Sequence, residues 1–198
     1  MNQESAIGRF KSFLRTLDGY SEVAFSLALP FMHIRTILKG NYFVEAGHTS
    51  QHFGFIASGI LRTFYLREGE EITTCLCDEE AFATSTASFI TQTPSHISVR
   101  AIETSTVVTI SYHDLQKLYA LHSFWLGFGR MIAEKEFLFL ENYNLRYSHE
   151  TAEEKYLRLL REHPGMVNRV PLQYIASYLG IKPETLSRIR KKTAHRIS

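Results

Sequence analysis

The chain has 198 residues, of which 44% are hydrophobic and 13% aromatic, with only 5 Pro and 11 Gly. This composition excludes a disordered, collagen-like or low-complexity protein, and the length allows one or two domains with a sizeable core. No secretory signal and no run of about 20 apolar residues occur, so we expect a cytoplasmic protein without membrane contact.

The formal net charge of +2 hides an asymmetry along the chain. Residues 1–149 hold 12 Lys+Arg against 15 Asp+Glu, whereas residues 150–198 hold 10 against 5. Within residues 182–198, six basic residues accompany a single acid, Glu184. This density is typical of a nucleic-acid contact surface, although a solvated basic tail would show it equally.

The N-terminal half changes its periodicity once. Residues 5–17 carry apolar side chains at spacings of three and four, which predicts a short helix. From residue 32 to about residue 111, short β-branched and aromatic segments alternate with turn signals. This spacing predicts a small antiparallel barrel or jelly roll. The uncharged stretch around residues 81–93 predicts a short helix and loop between strands, beside which a ligand pocket could form.

Two helices are predicted next, over residues 114–120 and 123–147. The longer helix is apolar almost all round, through Phe124, Trp125, Phe128, Met131, Ile132, Phe137, Leu138, Phe139, Leu140, Tyr143 and Leu145. Such a helix must be covered on two sides. We expect the barrel on one side and the same helix of a second subunit on the other. The alternative is burial between two domains of one chain.

A second domain is predicted after a hinge near residues 147–150. Thr151 and Glu154 form a capping-box pattern that begins a new helix, which ends near Glu162 before His163. The chain is therefore divided into a sensor domain (residues 1–122), a dimerisation helix (residues 123–147) and a C-terminal domain (residues 148–198).

Residues 171–190 carry the pattern that points to function. Pro171 suits the first position of a helix and Gly180 the left-handed residue just after it, while Pro183 suits the start of the next helix. This pattern predicts a helix-turn-helix. The second helix turns six polar side chains outward, of the types that read base edges and bind phosphates: Glu184, Thr185, Ser187, Arg188, Lys191 and Lys192.

The order of elements, together with Ile175-Ala176, Leu179-Gly180-Ile181 and residues 184–189, resembles the Crp/Fnr family of bacterial transcription regulators. The resemblance implies an α+β protein: an N-terminal double-stranded β-helix (a jelly-roll-like β-roll), a long dimerisation helix and a C-terminal winged helix-turn-helix. It further implies a homodimer on an inverted-repeat site of double-stranded DNA, with Glu184 and Arg188 reading bases. RNA polymerase is a further candidate partner.

The sequence departs from this family where cyclic nucleotides bind. The family's cassette contains a Gly-Glu pair and an arginine that neutralises the cyclic phosphate, whereas no arginine lies between Arg67 and Arg100 here. A buried phosphate without a guanidinium partner keeps its desolvation cost, so cyclic AMP is not the expected effector. No cofactor is indicated, and an unidentified small molecule would meet a pocket formed by Phe82, Thr84, Ser85, Ser95 and His96.

Other functions have weaker support. Glu45, His48 and His52 resemble the metal centre of a cupin-like enzyme, but the two histidines are four residues apart rather than two. No catalytic motif is present, and we assign no catalytic or metal-ligating residue. Cys75 and Cys77 are too few to hold an iron–sulfur cluster and are expected to be reduced. A structural pair on one strand is favoured for them over a redox role, which stays open.

Overall fold

A computed structural model describes the backbone of residues 3–197 and the side chains of residues 4–142 and 149–193. Its helices are α1 (Gln3–Leu14), α2 (Glu22–Ala28), α3 (Thr86–Thr91), α4 (Tyr112–Leu121), α5 (Ser123–His149), α6 (Ala152–Glu162), α7 (Met166–Arg169), α8 (Leu172–Leu179) and α9 (Pro183–Ile197). Its strands are β1 (His33–Ile37), β2 (Tyr42–Val44), β3 (His52–Ser58), β4 (Leu61–Arg67), β5 (Glu70–Cys77), β6 (Phe82–Ala83), β7 (Ser98–Ala101) and β8 (Ser105–Ser111).

The strands form two antiparallel four-stranded sheets, as the turn spacing predicted. Their orders are β1-β8-β3-β6 and β2-β7-β4-β5, with every pairing antiparallel. Side chains that alternate along the strands fill the space between the sheets, among them Phe43, Ile56, Leu61, Val99 and Val107. The two sheets therefore make a packed β-roll, and the short helix predicted near residues 81–93 is α3.

Helices α1, α2, α4 and the first half of α5 cover the outer face of the first sheet. Their contact is an aromatic cluster that includes Phe10, Phe55, Phe82, Trp125 and Phe128. The buried indole of Trp125 donates a hydrogen bond to the Ala24 carbonyl at 2.9 Å, so its polar atom is satisfied. The roll thus covers one side of the long helix, as expected.

The glycine at the β3–β4 turn is required by its surroundings. Gly59 has φ +99°, and a Cβ built there would lie 2.6 Å from the Cα of Ser105. Gly47 also has a left-handed φ, of +88°, but faces open space. Close contact between the β3–β4 turn and β8 therefore depends on Gly59.

Four helices, α6 to α9, form the C-terminal part of the chain. The predicted capping box at the start of α6 is present: Thr151 Oγ1 accepts from the Glu154 amide, and the Glu154 carboxylate accepts from the Thr151 amide. The wing implied by the family resemblance has no counterpart, because no strand follows β8 in residues 112–197. No glycine or proline interrupts residues 184–197, so this segment continues α9 instead of turning back as a hairpin.

An ion-pair network joins this C-terminal part to the β-roll. The Arg169 guanidinium on α7 donates to both carboxylate oxygens of Glu79, at 2.7 and 2.9 Å, and also to Glu103. The Gly59 amide donates to Glu79 as well, at 2.9 Å. The hydrogen bonds from Arg169, helped by the Gly59 amide and opposed by burial, lower the pKa of Glu79 to about 2.

Replacing Glu79 by Gln should remove part of the pH dependence of stability. The ionised form is favoured in the folded state, so its contribution is complete above the usual pKa of 4.5 and is lost as the pH falls toward 2. We expect Glu79→Gln to cost about 1 kcal/mol or less at pH 7, because partly exposed ion pairs are weak. Urea unfolding of both proteins at pH 7 and pH 3 measures the difference in their free energies of unfolding. A difference that grows on acidification would contradict the lowered pKa of Glu79.

Candidate nucleic-acid interface

Helices α8 and α9 are joined by a three-residue turn, as the sequence predicted. Gly180 has φ +71°, and the Gly180 and Ile181 amides donate to the Ser177 and Ala176 carbonyls, which closes the end of α8. Ile175, Ala176, Leu179 and Leu186 are all buried in the contact between the helices. Ala176 is small enough to let the two helices approach closely.

The polar side chains predicted to bind DNA share one face of α9. Glu184, Arg188, Lys191 and Lys192 are exposed and Thr185 and Ser187 are half-buried, whereas Leu186 and Thr193 point to the opposite, buried side. A spacing of three, four and seven residues keeps them on adjacent turns of one helix face. The structure therefore brings all six predicted residues together, at the surface.

Two members of this face already have partners. The Lys192 ammonium is paired with the Glu153 carboxylate of α6 at 2.7 Å. The Arg188 guanidinium lies 3.4 Å from Thr185 Oγ1, which is a weak contact one turn away on the same helix. Arg188 is therefore positioned to reach outward, while Lys192 would have to exchange Glu153 for a phosphate.

A buried arginine, Arg62, lies between helix α8 and strand β5 of the roll. The sequence pattern did not identify it as a functional residue. Arg62 on β4 is 1% exposed and donates through Nε to Thr73 Oγ1 at 2.8 Å and to the Glu71 carboxylate. Its guanidinium lies 4.0 Å from the ring centroid of Tyr174 on α8. Ser177, also on α8, accepts from the Thr73 amide at 2.9 Å and donates to the Glu71 carbonyl at 3.2 Å.

Glu71 is shared by two arginines. Arg100 on β7 donates to the same carboxylate oxygen at 2.6 Å. Burial opposes ionisation of Glu71, but the hydrogen bonds from Arg62 and Arg100 outweigh it and lower the pKa of this carboxyl below its usual range. The contact between α8 and the roll thus includes a charged, hydrogen-bonded cluster and is not only apolar.

Of the five residues predicted to line a ligand pocket, Thr84 and His96 adjoin Ser85 and Ser95 in the chain, and these two serines are in contact. Ser85 and Ser95 are buried and bonded to each other at 2.8 Å. Thr84 Oγ1 contacts Ser50 Oγ at 3.0 Å and donates to the His52 carbonyl. Phe82 belongs instead to the aromatic cluster beneath the helices, and His96 is exposed. The hydroxyls of Thr84, Ser85 and Ser95 are thus already hydrogen-bonded within the protein, and the pocket stays a prediction.

The metal-enzyme alternative gains no support. Among the residues whose side chains are described, no three His, Cys, Asp or Glu side chains form a group that could hold a metal ion. His52 lies on β3 opposite Ser111, and burial, together with the nearby charge of Arg35, lowers the pKa of its imidazole.

None of the described helices has the length and apolar character that a membrane span requires.

Residues 34–122 match the family model of the cyclic nucleotide-binding domain. Solved structures with a similar fold include FixK2 from Bradyrhizobium japonicum (15% identity over 83% of this chain and 85% of that one, TM-score 0.73). A putative Crp/Fnr-family transcriptional regulator from Eubacterium rectale is 14% identical, with coverages of 89% and 85% and a TM-score of 0.67. The c-di-GMP-responsive global regulator CLP of Xanthomonas campestris is 17% identical, with coverages of 89% and 93% and a TM-score of 0.66. A search of the curated proteins finds no match.

Residues 34–122 are therefore similar in sequence to the cyclic nucleotide-binding domain. The chain as a whole has the fold of the Crp/Fnr transcription regulators, which confirms the resemblance noted in the sequence.

One segment of this region differs in charge from a site for a cyclic phosphate. Between Arg67 and Arg100 the chain has neither arginine nor lysine, so no cation from this segment is available to a phosphate. The hydroxyls of Ser85 and Ser95 next to α3 are already bonded to each other. A phosphate placed there would have to break this contact without gaining an ionic partner.

Calorimetry should therefore detect no binding of cyclic AMP at concentrations below about 100 µM, because the charge-assisted hydrogen bonds that hold a phosphate are missing. Cyclic GMP, which carries the same cyclic phosphate, is the matched control and should behave alike. A micromolar dissociation constant for either nucleotide would show that cations from elsewhere in the molecule serve the phosphate.

Proposed function

We propose that this protein is a homodimeric DNA-binding transcription regulator of the Crp/Fnr type, in which α9 enters the major groove of an inverted-repeat operator. Residues 1–122 act as the sensor, residues 123–147 as the dimerisation helix and residues 148–198 as the DNA-binding domain. The sensor does not bind cyclic AMP and takes either an unidentified small molecule or no ligand, and RNA polymerase is a further candidate partner.

The observation that carries the proposal is the outward face of α9. Glu184, Arg188 and Lys191 project into solvent on a helix whose opposite side is buried against α8. An exposed arginine can donate two hydrogen bonds to guanine O6 and N7, and a carboxylate can accept from cytosine N4. Lysines on the neighbouring turn are suited to the phosphates that fix the register. A helix that bound protein through this face would present apolar anchors there instead.

Dimerisation is supported by exposed apolar side chains along one side of α5. Leu126, Phe137 and Leu140 are between half and two-thirds exposed and lie on one side of the helix, about 160° from Phe128, which packs on the roll. Every residue from 137 to 142 is exposed, so the C-terminal part of the chain does not cover this side. The alternative, in which this helix is buried between two domains of one chain, does not hold for residues 137–142. Tyr143 and Leu145 of the predicted stripe lie outside the described side chains.

Charging this side of α5 should yield monomers. The double variant Phe137→Glu, Leu140→Lys removes apolar area from both protomers of a dimer. Loss of the two phenyl rings alone weakens association by about 3–6 kcal/mol, so the dissociation constant of the dimer should rise at least 100-fold. The control is Val23→Glu on α2, where the native side chain is equally exposed at 65%. Sedimentation velocity reports the oligomeric state, and wild-type monomer at micromolar concentration would contradict the dimer.

The role of α9 is tested by Arg188→Ala against Lys191→Ala. The operator is first isolated by selecting genomic fragments that bind, followed by footprinting, and a two-fold dimer should protect half-sites about 10 bp apart. We expect Arg188→Ala to cost about 1–3 kcal/mol on the operator and much less on a scrambled duplex, because a base contact is lost. Lys191→Ala should weaken both duplexes alike and reduce the salt slope by about one.

Lys191 is the better control of the two lysines, since neutralising Lys192 would also break its ion pair with Glu153. Equal losses for both variants on both duplexes would show that Arg188 reads no base. If the wild-type protein binds neither duplex, the proposed function is wrong.

A further inference from the structure

Strand β5 carries two thiols in contact. The Sγ atoms of Cys75 and Cys77 lie 3.2 Å apart, and both residues are free and partly exposed. Alternate residues of a strand point to the same face, and two residues of rise separate their Cα atoms by about 6.6 Å. This spacing falls at the upper end of the range of about 4.4–6.8 Å that disulfides span, so a bridge can form with a small local movement of the strand.

The two cysteines also lie where the sensor meets the C-terminal part of the chain. Cys77 packs against the apolar interior of the roll, and Tyr178 of α8 is close enough for the charge of either thiolate to act on it. Burial, with a smaller effect from these two cysteines, raises the pKa of Tyr178 to about 12. The contact with Cys75, together with burial, raises the pKa of the Cys77 thiol well above its usual range. One member of the pair therefore keeps its proton at neutral pH.

We propose that Cys75 and Cys77 form an oxidisable dithiol that hydrogen peroxide closes into a disulfide within β5. The thiolate of one cysteine attacks a peroxide oxygen; the O–O bond breaks, hydroxide leaves with the proton released on ionisation as water, and a sulfenic acid forms. The second thiol then attacks that sulfur, and its proton leaves with the sulfenic hydroxyl as a second water. Two thiols are oxidised and one peroxide is reduced. A bridge between neighbouring residues of one strand is strained, and strained disulfides are readily reduced again.

The oxidation state of this pair is transmitted to α8. Thr73, two residues before Cys75, donates its amide to Ser177 of α8, and Glu71 accepts from the same hydroxyl. A bridge between residues 75 and 77 shortens the strand and changes its pleat next to these hydrogen bonds. Because α8 supports α9, closing the bridge alters the position of α9. This last step rests on the proposed DNA-binding function, whereas bridge formation does not.

The experiment treats the reduced full-length protein with one equivalent of hydrogen peroxide. We expect an intact mass lower by two hydrogens, loss of both thiols to a maleimide reagent, and recovery of both by dithiothreitol. The matched controls are Cys75→Ser and Cys77→Ser, each of which should stop at a sulfenic acid that dimedone traps. Both thiols still free, oxygen added without a bridge, or a bridge only between two chains would overturn the proposal.

Hydrogen exchange and DNA binding test the transmission separately. In the oxidised protein, amides of residues 172–179 should exchange at least several-fold faster than in the reduced protein, with no such change in either serine variant. Unchanged exchange there would overturn the coupling to α8. Affinity for the operator should also differ between the two forms, and equal affinity would overturn the regulatory role. If neither form binds DNA, the proposed function fails while the mass measurement still decides the dithiol.

Discussion

The arrangement of this molecule depends on one buried guanidinium. Arg62 lies between a sheet of the roll and helix α8, where Thr73, Glu71 and the ring of Tyr174 surround it. A buried charge is tolerated only when it is paired and hydrogen-bonded, and removal of one partner from such a pair costs about 3–5 kcal/mol. The cluster therefore fixes α8 in one register on β5, since a shift of one residue would move the Tyr174 ring off the guanidinium and break the hydrogen bonds of Ser177 to the Thr73 amide and the Glu71 carbonyl. Because α9 packs on α8, the position of α9 relative to the roll is fixed as well.

Residues 34–122 resemble a nucleotide-binding roll, but the segment between Arg67 and Arg100 carries no cation. The polar groups next to α3 are hydroxyls that pair among themselves, such as Ser85 with Ser95 and Ser50 with Thr84. Two arginines of the second sheet serve a different purpose, because Arg62 and Arg100 are both paired with Glu71. These two cationic side chains thus stabilise an interface within the protein and are not free for a phosphate.

Much of the fold is predictable from the sequence because its periodicities are long or carry clear stop signals. The strands between residues 32 and 111, helix α5, the capping box at Thr151 and the turn at Gly180 all follow from local patterns. Helices α2 and α7 were missed, since seven and four residues are too few to show a helical period. The six residues of α9 were predicted correctly as one surface, because a helix face is set by spacing alone.

Features that depend on distant segments could not be predicted. Arg62 is the polar member of an alternating strand and would be expected to face water, but a helix more than 100 residues later in the sequence covers it. The packing of Phe82 in the aromatic cluster could not be read from the sequence either, because β6 has only two residues and shows no alternation. The ion pair of Lys192 with Glu153 likewise joins two helices whose relative position no local pattern specifies.

The exposed phenyl and leucyl side chains of α5 also affect how the protein must behave in bulk solution. In the proposed dimer this surface is buried only by association, so part of the free energy that opposes unfolding comes from mass action. The melting temperature should then rise with protein concentration, and dilute or newly synthesised chains would be the most vulnerable to proteolysis and aggregation. Abundance of the folded regulator would consequently depend more steeply than linearly on its rate of synthesis.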